Sequence, residues 1–244
     1  MSIWEYANPK KFMATTTPVI PWVSWASFGL ILVGLGWGLF LTPAAENFEH
    51  SVKILFVHVP SVLMAINAWF MMLVTSLIWL VRRHHVSALA ARAAAPIGAV
   101  MTLIGLATGA IWGQPTWGTW WAWEPRLTSF LILFLFYLGY IALWSAIEDQ
   151  DTAADLTSVL CIVGSVFAVL SRYAAIFWGQ GLHQSATFSA DKETNIDPSF
   201  WWPAVLSMGG FVLFFIALVL IRTNALIRLR RAMALEARAN RGAS

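Results

Sequence analysis

Six apolar runs, each near the roughly 20 residues that a bilayer-spanning helix needs, divide the chain, and polar or turn-forming residues fence every one of them. They cover approximately residues 22–41, 54–81, 93–111, 127–147, 156–178 and 205–221. The pattern predicts an all-α integral membrane protein with six transmembrane helices. The connectors are too short for a second folded domain, so residues 1–244 read as a single membrane domain. The stretch before the first run holds Trp4, Glu5, Pro9 and Lys10 and no short apolar core with a cleavage site, so it reads as a lead-in rather than a removed signal.

Composition agrees: 59% of residues are hydrophobic and 11% charged, against roughly 45–50% and 25% in soluble domains. An independent soluble catalytic domain is excluded, and nucleic-acid binding has no support. One cysteine, Cys161, excludes an internal disulfide framework and any cysteine-clustered metal site. Short basic connectors resist translocation, so counting Lys and Arg orients the chain. Eleven lie on one side, from Lys10 and Lys11 through Arg82, Arg83 and Arg92 to six arginines between Arg222 and Arg241; three (Lys53, Arg126, Lys192) lie on the other. Both termini are therefore expected in the cytoplasm, with the acidic connector Glu148 to Asp155 as a local exception. The basic tail 222–244 reads as a helix suited to lie along the inner leaflet. Glycines of the first span (Gly29, Gly34, Gly36, Gly38) and third span (Gly105, Gly109) read as close helix-packing positions.

The candidate chemistry lies in the outward connectors. Trp112, Trp117, Trp120, Trp121 and Trp123 fall in one of them, residues 112–126, interleaved with Gly113, Pro115 and Gly118. An interface anchor needs one or two indoles, whereas five form a broad apolar surface suited to a flat hydrophobic ligand. His84 and His85 beside Arg82 and Arg83 read as a solvated cluster, and His50 as a solvated residue. His58, in the apolar run Ile54-Leu-Phe-Val-His-Val-Pro60, stands near the outer edge of the second span, and His183 follows the fifth span by five residues. Two imidazoles thus share the level of the tryptophans. Haem would use all of these: iron takes imidazole nitrogens, the porphyrin packs on aromatic rings, and its carboxylates seek Arg or Lys. Lys53, Arg126 and Arg172 could each meet a propionate, and Arg172 could equally snorkel or pair within the bundle. Zinc fits less well, because it gives tryptophan no use.

The run Trp117-Gly-Thr-Trp-Trp-Ala-Trp-Glu-Pro-Arg-Leu-Thr128, together with Val57-His-Val-Pro60, Leu182-His-Gln184, the chain length and the six spans, resembles the haem exporter protein C (CcmC) family of cytochrome c maturation system I. The resemblance covers about residues 20–225. It implies a non-enzymatic protein of the bacterial inner membrane that binds haem b at its periplasmic face and delivers it for c-type cytochrome biogenesis. His58 and His183 would be the axial iron ligands and Trp117, Trp120, Trp121 and Trp123 the platform. Implied partners are the periplasmic haem chaperone CcmE, the small membrane protein CcmD and the ABC-transporter subunits CcmA and CcmB. ATP hydrolysis would fall to a partner, since no phosphate-binding glycine loop followed by Lys and Ser or Thr occurs here. Three positions depart from the family's usual pattern: Glu124 replaces Asp, Lys53 replaces Arg, and Trp178-Gly-Gln-Gly-Leu-His-Gln184 keeps one tryptophan of a pair. Two alternatives stand beside this reading. A cytochrome c haem lyase component would carry more spans and further intramembrane histidines, and an electron-transferring membrane cytochrome would place paired histidines deep in its helices.

Overall fold

An apolar segment in hydrocarbon must satisfy its own backbone polar groups, which a single segment can do only as a helix. The computed structural model of the chain, which describes residues 3–45, 49–178 and 197–242, is helical wherever the sequence is apolar. A short helix α1 (Pro9–Thr16) precedes α2 (Ile20–Leu41), α3 (Leu55–Arg82), α4 (His85–Trp117), α5 (Pro125–Ala146), α6 (Gln150–Trp178) and α7 (Pro198–Gly242). Six of these, α2 to α7, are long and apolar enough to cross a membrane. Among the described residues the one strand-like feature is an isolated bridge between Ala45 and Glu49.

Three helices outrun their apolar runs, α4 and α6 for a local reason. Arg83 turns the chain at φ 51°, and the His84 Nδ1 accepts the Ser87 backbone N–H at 3.1 Å, so α4 starts at His85 rather than near residue 93. Its far end passes through Pro115 and stops at Gly118, whose φ of 75° suits glycine and whose N–H donates to the Gln114 carbonyl at 2.9 Å. Trp112 and Trp117 are therefore helical, and the connector proper is residues 118–124. At the start of α6 the Asp149 carboxylate accepts the Thr152 N–H at 2.8 Å. Helix α7, 45 residues and thus about 67 Å long, runs on through the basic tail as a continuation of the span rather than as a separate helix.

The central pair is α3 with α4; α2 and α7 pack together on one flank, α5 and α6 on the other. Trp69, Met72, Leu133 and Tyr137 are fully buried at the centre. The Trp69 indole donates to the Cys161 carbonyl at 3.2 Å and meets the Tyr137 ring edge-on at 4.7 Å, while the Tyr137 hydroxyl donates to the Ala65 carbonyl at 2.7 Å. Gly98 makes room for that tyrosine: a Cβ there would lie 2.3 Å from the ring. Gly34 and Gly38 pack closely as expected, against the Ser207 backbone and the Phe56 ring, but Gly29 and Gly36 face open space.

The end of the bundle where α3 meets α4 carries the arginines. Arg83 pairs with Asp155, and Arg230 bonds Asp151 at 2.9 Å. The Trp79 indole adds a 2.9 Å bond to Asp155. The opposite end carries His58 and the tryptophan connector.

Candidate functional site

His58 occupies the first turn of α3, where the 3-10 turn His50–Ile54 feeds the chain into the helix. The ring is half-buried and turned onto α4. Its Nδ1 lies 3.0 Å from the Thr108 hydroxyl, and the Trp112 indole meets it edge-on at 5.9 Å. A Cβ on Gly109 would stand 3.1 Å from its Cε1, so glycine is what lets the imidazole lie against the helix. Gly109 is therefore more than scaffold. Thr108 was not among the residues singled out from the sequence; its signal is a hydroxyl one helical turn before Trp112 near the outer edge of an apolar span.

Gly105, one turn deeper on α4, locates the neighbours: Val62 of α3 and Phe130 of α5 both come to about its Cβ position, each at 3.0 Å. His58 lies one turn outward of Val62, and Arg126 one turn outward of Phe130. The imidazole and that guanidinium thus stand on two helices that both pack against α4 near its outer end. Arg126 is half-buried, and the charged groups that act on it are Glu124 and Arg172. Two guanidiniums, from α5 and α6, therefore share this end of the bundle. The Arg172 guanidinium sits over the Tyr173 ring at 5.7 Å on an exposed face. Lys53 goes elsewhere, its ammonium donating to the Leu39 carbonyl at the end of α2 at 2.8 Å.

Between Gly118 and Glu124 the chain folds back over α4. Gly113 permits this, because the Trp117 ring and the Thr119 carbonyl lie 3.1 and 3.3 Å from where its Cβ would be. The Thr119 hydroxyl donates to the Trp121 carbonyl at 2.8 Å and accepts the Trp121 N–H at 3.3 Å. Trp121 and Trp123 meet edge to face at 5.5 Å. With Leu103, Leu106, Ala107 and Leu131 they line an apolar groove of about 470 Å³. At about 100° per residue these α4 positions point away from Thr108, Gly109 and Trp112, so the groove and His58 flank α4 on different sides. Trp117 is half-buried, whereas Trp120 and Trp123 are 61% and 80% exposed. Two buried donors, Trp121 Nε1 and Arg126 Nε, find no acceptor among the described residues. Buried donors of that kind ordinarily demand one.

Glu124 is the residue before α5, and its carbonyl accepts the Thr128 N–H at 2.9 Å. His183 and Lys192 lie outside the described residues, as does the connector that carries them.

The chain matches the family model described as Heme exporter protein C over residues 2–238. A protein of Rhodobacter capsulatus with that name is 68% identical over 238 residues, covering 98% of both chains. One of Paracoccus denitrificans is 65% identical, over 99% of this chain and 100% of its own. One of Escherichia coli K12 is 38% identical, over 93% of this chain and 91% of its own. All three carry the same name, which describes an exporter and not an enzyme.

Proposed function

The chain belongs to the heme exporter protein C family, and from that premise we propose that it binds haem b at the periplasmic face of the bacterial inner membrane and hands it to the periplasmic chaperone CcmE. It does so within an assembly that includes CcmD and the transporter subunits CcmA and CcmB, which supply the ATP hydrolysis. The excess of arginine at the α3–α4 turn and along α7 supports a cytoplasmic position for that end, which puts His58 and the tryptophans outside. Haem is cargo here, and the chain performs no bond-making step of its own.

The observation that carries this reading is the convergence of unlike groups at one end of the bundle. An imidazole on α3 and the Arg126 guanidinium on α5 flank the outer end of α4, Arg172 of α6 acts on Arg126, and the indoles of Trp121 and Trp123 line the other side of α4. Iron would take His58 and His183 as axial ligands. Arg126 and Arg172 would meet the propionates, which also gives the buried Arg126 Nε an acceptor. Trp117, Trp120, Trp121 and Trp123 would present an apolar surface to the porphyrin beside the lipid, where a carrier can release what it holds. Lys53 and Glu124 stand at the rim. The ammonium of Lys53 already serves α2, which makes it the weaker propionate partner.

The test is the absorption spectrum of protein purified with its partners. It should show a low-spin, bis-imidazole haem, and His58→Ala or His183→Ala should each convert it to a different spin or ligation state. Unchanged bands in both variants would refute the ligand assignment.

A further inference from the structure

A histidine that binds a metal must offer an unprotonated nitrogen, and which nitrogen that is depends on the partner of the other one. At His58 the Nδ1 nitrogen faces the Thr108 hydroxyl. The Thr108 hydroxyl has one proton, and the Ile104 carbonyl, 2.6 Å away and one turn back on α4, is its closest acceptor. The same oxygen lies 3.0 Å from His58 Nδ1, and with the hydroxyl proton donated to the Ile104 carbonyl that contact is a hydrogen bond donated by Nδ1–H to Thr108. Neutral His58 is then the Nδ1–H tautomer, with its lone pair on Nε2, the nitrogen farther from α4. Gly109 against Cε1 and the edge of Trp112 fix the plane of the ring.

We propose that Thr108 is the positioning residue of the haem site: it locks His58 as the Nδ1–H tautomer and aims Nε2 as the nitrogen that meets iron. The inference rests on the haem-binding reading above. Its chemical consequence is specific. Carboxylate partners make a ligating imidazole more basic and hold the metal more firmly; a neutral hydroxyl that spends its own proton on a helix carbonyl orients the ring without that push. Such a ligand is well placed but comparatively easy to detach, which suits a protein whose task ends in release.

The experiment joins two readouts on full-length protein. In haem-free protein labelled with nitrogen-15 histidine, NMR should show His58 protonated at Nδ1 and not at Nε2. Thr108→Val, which keeps the shape and removes the acceptor, should populate the Nε2–H form and weaken haem binding by about 10–100-fold, the usual cost of losing an orienting partner. Thr108→Ser should restore both properties, which a purely structural role for the methyl group would not allow. An Nε2–H tautomer in the parent protein, or a tautomer unchanged by Thr108→Val, would overturn the inference on haem-free material alone. A His58→Ala variant with an unaltered haem spectrum would instead overturn the ligand reading on which it rests, whatever the tautomer.

Discussion

Trp123 is 80% exposed and Trp120 61%, and their neighbour Trp121 has a buried indole N–H with no acceptor among the described residues. Large apolar faces of this kind mark binding surfaces. Replacing Trp120 and Trp121 together with Ala should lower haem retention by about tenfold or more, taking the usual worth of two aromatic contacts, with unchanged insertion into the membrane. Haem per protein after purification is the measurement, and normal loading of the chaperone by this variant would count against the platform. The tryptophans and His58 were legible from sequence because indole clustering and a histidine at a span edge are local signals. The partners of each charge were not. Asp151 and Asp155 read as exceptions to a basic side until Arg230 and Arg83 are seen beside them. Arg172 falls near another guanidinium, Arg126, which no inspection of a single span could show. Lys53 turns to the Leu39 carbonyl, 14 residues back in the chain, a partner that no local pattern marks.

Helix ends are set by capping atoms, which hydropathy does not register. This is why α4 exceeds its apolar run at both ends, His84 holding one and Gly118 the other. Burial, the largest influence, and the neighbouring His85 keep the His84 imidazole below its ordinary value of 6.5, against a backbone hydrogen bond that favours the charged form. The unfolded chain therefore takes up the proton first. Stability at this end of α4 is complete above about pH 6.5 and is lost as pH falls from there towards the lower folded value. Hydrogen exchange at the Ser87 amide should accelerate, relative to His84→Asn, whose cap does not titrate, as pH falls below about 6.5; parallel profiles would refute the assignment. Close helix packing gives a second test. Gly98→Ala would drive a methyl into the Tyr137 ring, 2.3 Å away, and should destabilise by about 1–3 kcal/mol. Gly36→Ala, with nothing within 4 Å, should be nearly neutral. Thermal denaturation in detergent distinguishes the two, and equal midpoints would contradict the packing described. That Gly34 and Gly38 are packed while Gly29 and Gly36 are not depends on the side of α2 that α7 and α3 occupy, which composition leaves open.

As a whole the molecule is a central helix pair with a second pair on either flank, and its two ends differ in chemistry. One end neutralises arginines with aspartates from the start of α6. The other carries an imidazole and the Arg126 guanidinium beside the end of α4, Arg172 acting on Arg126, and a surface of indoles. The second end sets a histidine beside Arg126 and the exposed indoles, and the proposed account stands on iron being held there by His58. Chemical rescue tests this most directly. In the ferric haem complex of His58→Gly, the electron paramagnetic resonance spectrum should lose its low-spin bis-imidazole signal, and free imidazole, filling the space left by the side chain, should restore it. A low-spin signal that survives the substitution and ignores added imidazole would contradict the account.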